Sequence, residues 1–347
     1  MIDKTTHNVY FDDARHMGMI EDNSVDLVVT SPPYPMIEMW DGVFGGMNSS
    51  VNSYLSSDPM LAFETMHQEL DKVWAECFRV LKNGSFLCIN IGNATRTIEG
   101  SFSLFDNRYR ITKCCVELGF TSLPHIIWKK PTNSPNKFLG SGMLPCVAYV
   151  AQGHEYILIF RKGGKREFNS DDLKRLRLNS AYFFEERNVW FSDVWEGITG
   201  VRQKLATSRE RNAAYPLEIP YRLINMFSIK GDVVLDPFFG IGTTTLAAMV
   251  SCRSSIGIEI DHELRESIKI RVNESEKILA ELPKKRFEKH LTYINNKSPK
   301  LYNDIMRCTV TSPQETKLTI EQIDAINEDL DIEAKLSYEV TYKELNV

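Results

Sequence analysis

The stretch Val233-Val234-Leu235-Asp236-Pro237-Phe238-Phe239-Gly240-Ile241-Gly242-Thr243-Thr244 constrains this chain more than any other. A β-favouring run enters a Gly-x-Gly turn, and a helical segment opens at Thr243. That order is the first half of a βαβ unit of the dinucleotide-binding type, in which glycines let the backbone approach a ligand. Gly240 and Gly242 take that part. A second β run, Ser255-Ile256-Gly257-Ile258-Glu259, ends in a carboxylate placed to accept two ribose hydroxyls. Thr245 stands where a GxGxxG fingerprint has its third glycine, and the Gly-Lys-Ser/Thr of a triphosphate loop is missing, which argues against an ATPase.

Far upstream, Val25-Asp26-Leu27-Val28-Val29-Thr30 runs into Ser31-Pro32-Pro33-Tyr34-Pro35. A buried parallel strand is expected here, delivering a stiff loop at its C-terminal end. The prolines fix the backbone, so the loop presents a hydroxyl, carbonyls and an aromatic face in a set arrangement. An exocyclic amine is a poor nucleophile because its lone pair is conjugated into the ring. Ser31 Oγ and the Pro32 carbonyl are suited to accept its two N–H bonds, favouring a pyramidal nitrogen. Tyr34 offers a face on which an extruded base can stack. A loop that grips a planar amine, paired with a turn that holds a nucleoside, points to group transfer onto a base.

Between the two segments, the spacing of Phe63, Met66, Leu70, Val73, Trp74, Cys77 and Val80 predicts a helix over 60–81, closed by Asn83-Gly84. Strands are expected at 85–91, 126–128 and 156–160, which gives an α/β sheet with helices on both faces. Residues 42–57, rich in Gly, Ser and Asn, are expected to form a mobile loop over the DNA or the base. Residues 161–211 break the rhythm, with twelve basic residues against eight acidic ones among aromatics. They are the expected target-recognition region, with Lys162, Lys165, Arg166, Arg175, Arg177 and Arg202 as candidate DNA contacts. The organisation is then a catalytic half at 1–160, the recognition region at 161–211, a cofactor half at 212–280, and a charged helical extension at 281–347.

The formal net charge of −5 does not exclude a nucleic-acid substrate, because the acidity sits at one end. From Glu315 onward nine acidic residues face three lysines. No apolar run is long enough to span a bilayer, and the N-terminus lacks the apolar stretch of a signal peptide. Seven cysteines without a CxxC pair read as reduced thiols of a cytoplasmic protein, with no metal site implied.

TSPPYP together with DPFFGIGTT resembles the β group of S-adenosylmethionine-dependent DNA amino-methyltransferases, in which the catalytic loop precedes the cofactor turn. Phe11-Asp12-Asp13-Ala14, Arg79 to Ser85, Ile127 to Pro131, His154 to Ile157, Ala213 to Pro216 and Ile219 to Ile224 resemble further family segments. The likeness spans about 8–265, leaving 161–211 and the tail aside. It implies a Rossmann-like methyltransferase fold, circularly permuted in motif order, with S-adenosyl-L-methionine as cofactor. By the same resemblance, Asp236, Phe238, Gly240, Gly242, Thr243 and Thr244 surround the methionine and ribose, and Glu259 takes the ribose hydroxyls. Asp13 meets the adenine amine, while Ala213 and Tyr215 line the methionine side. Ser31, Pro32, Pro33 and Tyr34 form the catalytic loop.

Serine rather than aspartate before Pro-Pro-Tyr goes, within that family, mostly with N4-cytosine. The expected activity is therefore site-specific methylation of a flipped-out cytosine in double-stranded DNA, as the modification half of a restriction–modification pair. N6-adenine is the alternative, followed by an amine methyltransferase of RNA or protein glutamine. A C5-cytosine enzyme would need a cysteine nucleophile beside proline, and Pro145-Cys146 lacks the flanking pattern. A homodimer is the expected assembly.

Overall fold

The computed structural model describes residues 2–130, 139–199, 215–297 and 299–345. Its strands are β1 (Lys4–Phe11), β2 (Val25–Thr30), β3 (Leu81–Ile91), β4 (Phe120–Lys129), β5 (His154–Lys162), β6 (Val194–Trp195), β7 (Val233–Asp236), β8 (Ser254–Glu259), β9 (Glu321–Ile332) and β10 (Lys335–Glu344). They form one sheet in the order β6-β4-β5-β3-β2-β7-β8-β1-β10-β9. Strands β5 and β10 run against the rest. The helices are α1 (Asp41–Met47), α2 (Ser50–Ser57), α3 (Pro59–Val80), α4 (Asn107–Glu117), α5 (Asp171–Asn179), α6 (Phe184–Trp190), α7 (Glu218–Phe227), α8 (Thr243–Val250) and α9 (Arg265–Ile294).

The expected α/β sheet with helices on both faces is what forms. β2 is buried at every position, as a central strand covered on both faces must be. The apolar stripe of α3 packs on one face through Phe63, Met66, Leu70, Val73, Trp74, Cys77 and Val80, all buried. Asp58 caps its N-terminus by accepting from Leu61 N at 3.0 Å, and Pro59 opens the first turn. On the other face α7 and α8 bury Ile219, Leu223, Ile224 and Ala247 against β2 and β7. From the central pair β2–β7, the chain winds outward to β3 on one side and β8 on the other. This reversal opens a crevice at the carboxyl ends of the strands, where ligands of open α/β sheets bind.

Three expectations need correction. Residues 42–57 are not a loop: they form α1 and α2, anchored by the fully buried Phe44 and Val51. Beyond α9, the described residues of the extension are helical only in a short 3-10 turn, Pro313–Lys317. The last part of the extension is the hairpin β9–β10, which joins the sheet through β1. Leu336, Tyr338, Val340 and Tyr342 alternate inward along β10, the two-residue period of a half-buried strand. No Asn83-Gly84 stop separates α3 from the next strand. β3 begins at Leu81, directly after α3, and Gly84 sits inside it at φ +83°, where a Cβ would lie 2.5 Å from Arg166 N.

The recognition region also differs from expectation. Lys162 is buried and donates to Asn23 Oδ1 and to the carbonyls of Phe78 and Leu81. Arg166 pairs with Asp232 at 2.6 Å. Asp26 and Asp232 stand where β2 and β7 begin, so this segment lies at the end of the sheet opposite the Ser-Pro-Pro-Tyr loop. A six-residue strand separates the two ends by roughly 20 Å. Lys165, Arg175 and Arg177 are exposed, but they follow the same segment; Arg175 pairs with Asp172, and Arg177 lies over Phe168. Lys162 and Arg166 hold the fold together and are not available to phosphate. Arg202 lies outside the described residues.

Candidate active site

At the carboxyl ends of β2, β7 and β8 opens a cleft of about 1440 Å³. Ligand pockets run to about 1,000 Å³, so this one has room for a cofactor and a base together. Ser31, Pro32, Pro33 and Tyr34 line one part, and Phe238, Gly240, Thr243 and Glu259 line another. The two loops, remote in sequence, therefore share one cavity.

The cofactor side follows from backbone conformation. Gly240 and Gly242 adopt φ +58° and +85°, a region costly for other residues, and α8 opens immediately afterwards. Glu259 at the end of β8 accepts from Gly240 N at 2.7 Å and from Asp261 N at 2.9 Å. Asp13 lines the cleft, and both its oxygens accept from Arg15. Burial alone would push Asp13 up; the Arg15 bonds outweigh it and hold the carboxyl below its usual range. Tyr215 lines the cleft and bonds Thr244 Oγ1. Ala213 lies outside the described residues.

Three of the expected cofactor residues, Asp236, Gly242 and Thr244, stand behind the wall instead of on it. Asp236 is buried and accepts from Thr30 Oγ1 and Thr244 Oγ1, both at 2.6 Å, and from Phe238 N at 3.1 Å. It ties the root of the Ser-Pro-Pro-Tyr loop to the glycine turn and to α8. Burial raises its pKa to about 6.

Close packing fixes the turn. A Cβ on Gly257 would fall 1.9 Å from Phe239 Cδ2. Gly257→Ala is therefore expected to expel the Phe239 ring and destabilise the protein by about 2–3 kcal/mol, read from denaturant midpoints. An unchanged midpoint would mean that Phe239 can move without disturbing the turn.

The Ser-Pro-Pro-Tyr loop is held from several sides. Pro35 O accepts from Asn107 Nδ2 at 3.1 Å, and the same buried amide reaches Gly92 O at 3.0 Å. Met36 follows at φ +67°, a strained conformation for a side chain of its size. Tyr34 Oη lies 2.9 Å from Glu155 Oε2, 2.9 Å from Asn90 Nδ2 and 3.2 Å from Ser31 Oγ. Burial, with the neighbouring Glu155 charge, pushes the Tyr34 phenol well above its ordinary value, so it stays protonated. Lys130 Nζ is 2.5 Å from Glu155 Oε1.

Sequence reasoning assigned no role to Asn90, Glu155, Lys130 or Asn107. Their only local signal is a polar residue at the edge of an apolar β run or at a helix start.

The cleft suits S-adenosylmethionine in its donor set. Glu259 offers acceptors for vicinal hydroxyls, Phe238 and Ile258 offer apolar surface, and Asp12, Asp13 and Glu263 add carboxylates that favour a cationic sulfonium over a phosphate. Among the described residues, Glu185, His290 and Glu315 form a separate cluster of metal-ligand type. Both His290 nitrogens are engaged, with Glu185 and with Thr309 O, and Glu315 accepts from the backbone N–H groups of Phe184 and Ser312.

The family model for DNA methylases of the N6/N4 type matches residues 25–270. The chain is 48% identical over 321 residues to the Type II methyltransferase M.MthZI of Methanothermobacter thermautotrophicus, covering 91% of this chain and 90% of that one. It is 50% identical over 285 residues to the Type II methyltransferase M.MjaI of Methanocaldococcus jannaschii, covering 79% and 93%. Among solved structures, TTHA0409 of Thermus thermophilus, complexed with S-adenosyl-L-methionine, superposes with a TM-score of 0.59 at 32% identity. That match covers 76% of this chain and 92% of the other. A glycine turn and a Ser-Pro-Pro-Tyr loop on one cleft, with these relatives, assign the chain to an S-adenosylmethionine-dependent family: it belongs to the N6/N4 DNA methylases.

Proposed function

We propose that this protein is the modification enzyme of a restriction–modification pair and methylates the exocyclic N4 of a cytosine flipped out of double-stranded DNA. The observation that carries this reading is the shared cleft, in which Ser31 and Tyr34 face the same space as Glu259 and Phe238. The high identity to two Type II methyltransferases supports the restriction–modification setting.

S-adenosylmethionine supplies an electrophilic methyl group when bound. The protein's own part is to hold the amine and exclude water. Ser31 Oγ and the Pro32 carbonyl accept the amine's hydrogens and turn its lone pair toward the cofactor side. Prolines 32, 33 and 35 and the Asn107 bonds keep those acceptors in place, so little reorganisation accompanies reaction. Tyr34 carries the extruded base on its ring, which offsets part of the cost of unstacking. Glu259 orients the ribose. A neutral serine at the amine also favours cytosine over adenine, following the family habit.

DNA contact belongs at the carboxyl end of the sheet, because the base must enter there. The described residues 139–150, which precede β5, are suited to it. The short hairpin of Leu139–Gly140 and Ala148–Tyr149 leaves Met143, Leu144, Val147 and Val150 exposed, and Tyr149 stacks on Phe102 at 4.3 Å. Exposed apolar side chains of this kind fit the gap that an extruded base leaves in the stack.

The test is chemical identification of the product. DNA treated with the purified protein and S-adenosylmethionine, digested to nucleosides and analysed by mass spectrometry, is expected to contain N4-methyldeoxycytidine. N6-methyldeoxyadenosine would overturn the base assignment, and no methylated nucleoside would overturn the function.

A further inference from the structure

We propose that Glu155 is the proton-accepting end of a hydrogen-bonded chain that starts at the target amine, and that it fixes the direction in which Ser31 and Tyr34 bond. The proposal rests on the amine-methylating reading above. Glu155 stands at the start of β5, 9% exposed, with its carboxylate accepting from Tyr34 Oη at 2.9 Å, Asn90 Nδ2 at 2.7 Å and Lys130 Nζ at 2.5 Å. It lines the same cleft as Ser31.

The direction follows from counting protons. A phenol has one proton to give, and its oxygen can accept two. An ionised carboxylate only accepts, and an amide NH₂ only donates. Tyr34 therefore donates to Glu155 and accepts from Asn90, and its 3.2 Å contact with Ser31 leaves the serine as donor. Ser31 Oγ then turns only lone pairs toward the cleft, as an acceptor for an amine must. Without the carboxylate, Tyr34 is free to donate to Ser31. The serine proton would then face the amine's own protons.

The same chain removes the surplus proton. When the amine nitrogen forms its new C–N bond with its lone pair, the electrons of the broken S–C bond stay on sulfur, and one N–H proton must leave. Ser31 Oγ takes it while passing its own proton to Tyr34 Oη, and Tyr34 passes its proton to Glu155 Oε2. One amine proton is lost, one carboxylate is protonated, and both hydroxyls are restored. Because Tyr34 resists ionisation, the transfer passes through it without a free phenolate. Glu155 acts through Tyr34 and Ser31, so it is a positioning residue as well as the final acceptor.

Single-turnover methylation of duplex DNA by full-length variants tests this. Glu155→Gln keeps the shape and removes the charge; its rate is expected to fall about a hundredfold, with KM for DNA and cofactor affinity within about threefold of the parent. Glu155→Asp is expected to restore roughly a tenth or more of the parent rate, which a purely steric role would not produce. Tyr34→Phe cuts the same chain, and Glu155→Gln combined with it is expected to be no slower than the slower single variant. Should Glu155→Gln not fold, Tyr34→Phe alone carries the test, with a lowered rate at unchanged KM expected. A Glu155→Gln rate within about threefold of the parent, full multiplication of the two single losses, or a Tyr34→Phe rate equal to the parent overturns the proposal. A parent protein that methylates no nucleoside overturns the underlying reading instead.

Discussion

Ser31→Ala is expected to lower the single-turnover rate of methylation by about 10²–10³-fold while leaving cofactor affinity within about twofold. Ser31 follows the carboxyl end of β2 and is half-buried, and its side chain meets Tyr34 Oη and, more distantly at 3.5 Å, Asn90 Nδ2. Its removal costs the fold little, because both partners keep their bonds to Glu155. What is lost is an acceptor already aimed at the amine before it arrives, and such preorganised groups are worth about 3–4 kcal/mol in the transition state. Cofactor affinity is spared because the glycine turn reaches β2 through Thr30 and Asp236, one residue before the substitution. Calorimetry with S-adenosylmethionine and rapid-quench methylation assays separate the two effects. Equal turnover by the two proteins would remove Ser31 from the chemistry, and a large fall in cofactor affinity would show that the loop also builds the cofactor site.

Both loops are legible in the sequence because each is encoded locally. Prolines set Ser31-Pro32-Pro33-Tyr34 whatever surrounds it, and the positive φ of Gly240 and Gly242 demands glycine on steric grounds. Asn90 and Glu155 are not legible in this way. Each is one polar residue at the edge of an apolar run, and their meeting depends on the antiparallel register that sets Ile91 opposite Tyr156. The basic cluster misled for the converse reason. Lys162 and Arg166 look like surface charges until Asp232 and the carbonyls near the end of α3 arrive from elsewhere in the chain. In the tail, the inward alternation of Leu336, Tyr338, Val340 and Tyr342 was hidden by the many acidic residues among them, such as Glu339, which points to the other face and pairs with Lys4.

Asp236 separates stability from cofactor binding, and two substitutions are expected to move them in different ways. Burial raises its pKa from the ordinary 3.8 to about 6. Between those values the folded state holds a proton that the unfolded chain has released, so stability falls as pH rises through this window. Above about pH 6 both states are ionised, and the buried charge costs the native state roughly 3 kcal/mol. Asp236→Asn removes that cost. Its Oδ1 can still accept from Thr30 and Phe238 N, and Thr244 Oγ1 can rotate to accept from the new amide. The expected result is a melting temperature roughly 5 °C above the parent at pH 7.5, with the gap closing near pH 4. Asp236→Ala acts oppositely, since it leaves the Thr30 and Thr244 hydroxyls and the Phe238 N–H to find new partners in a buried site. A loss of about 3–5 kcal/mol is expected. Cofactor affinity should fall about tenfold or more, because Phe238 on the cleft wall loses its anchor. Melting curves at the two pH values and calorimetry at pH 7.5 decide the matter. An Asn variant that melts below the parent at pH 7.5 would mean that the carboxylate's bonds outweigh its burial, and an Ala variant with parental affinity would show that the turn holds its shape without Asp236.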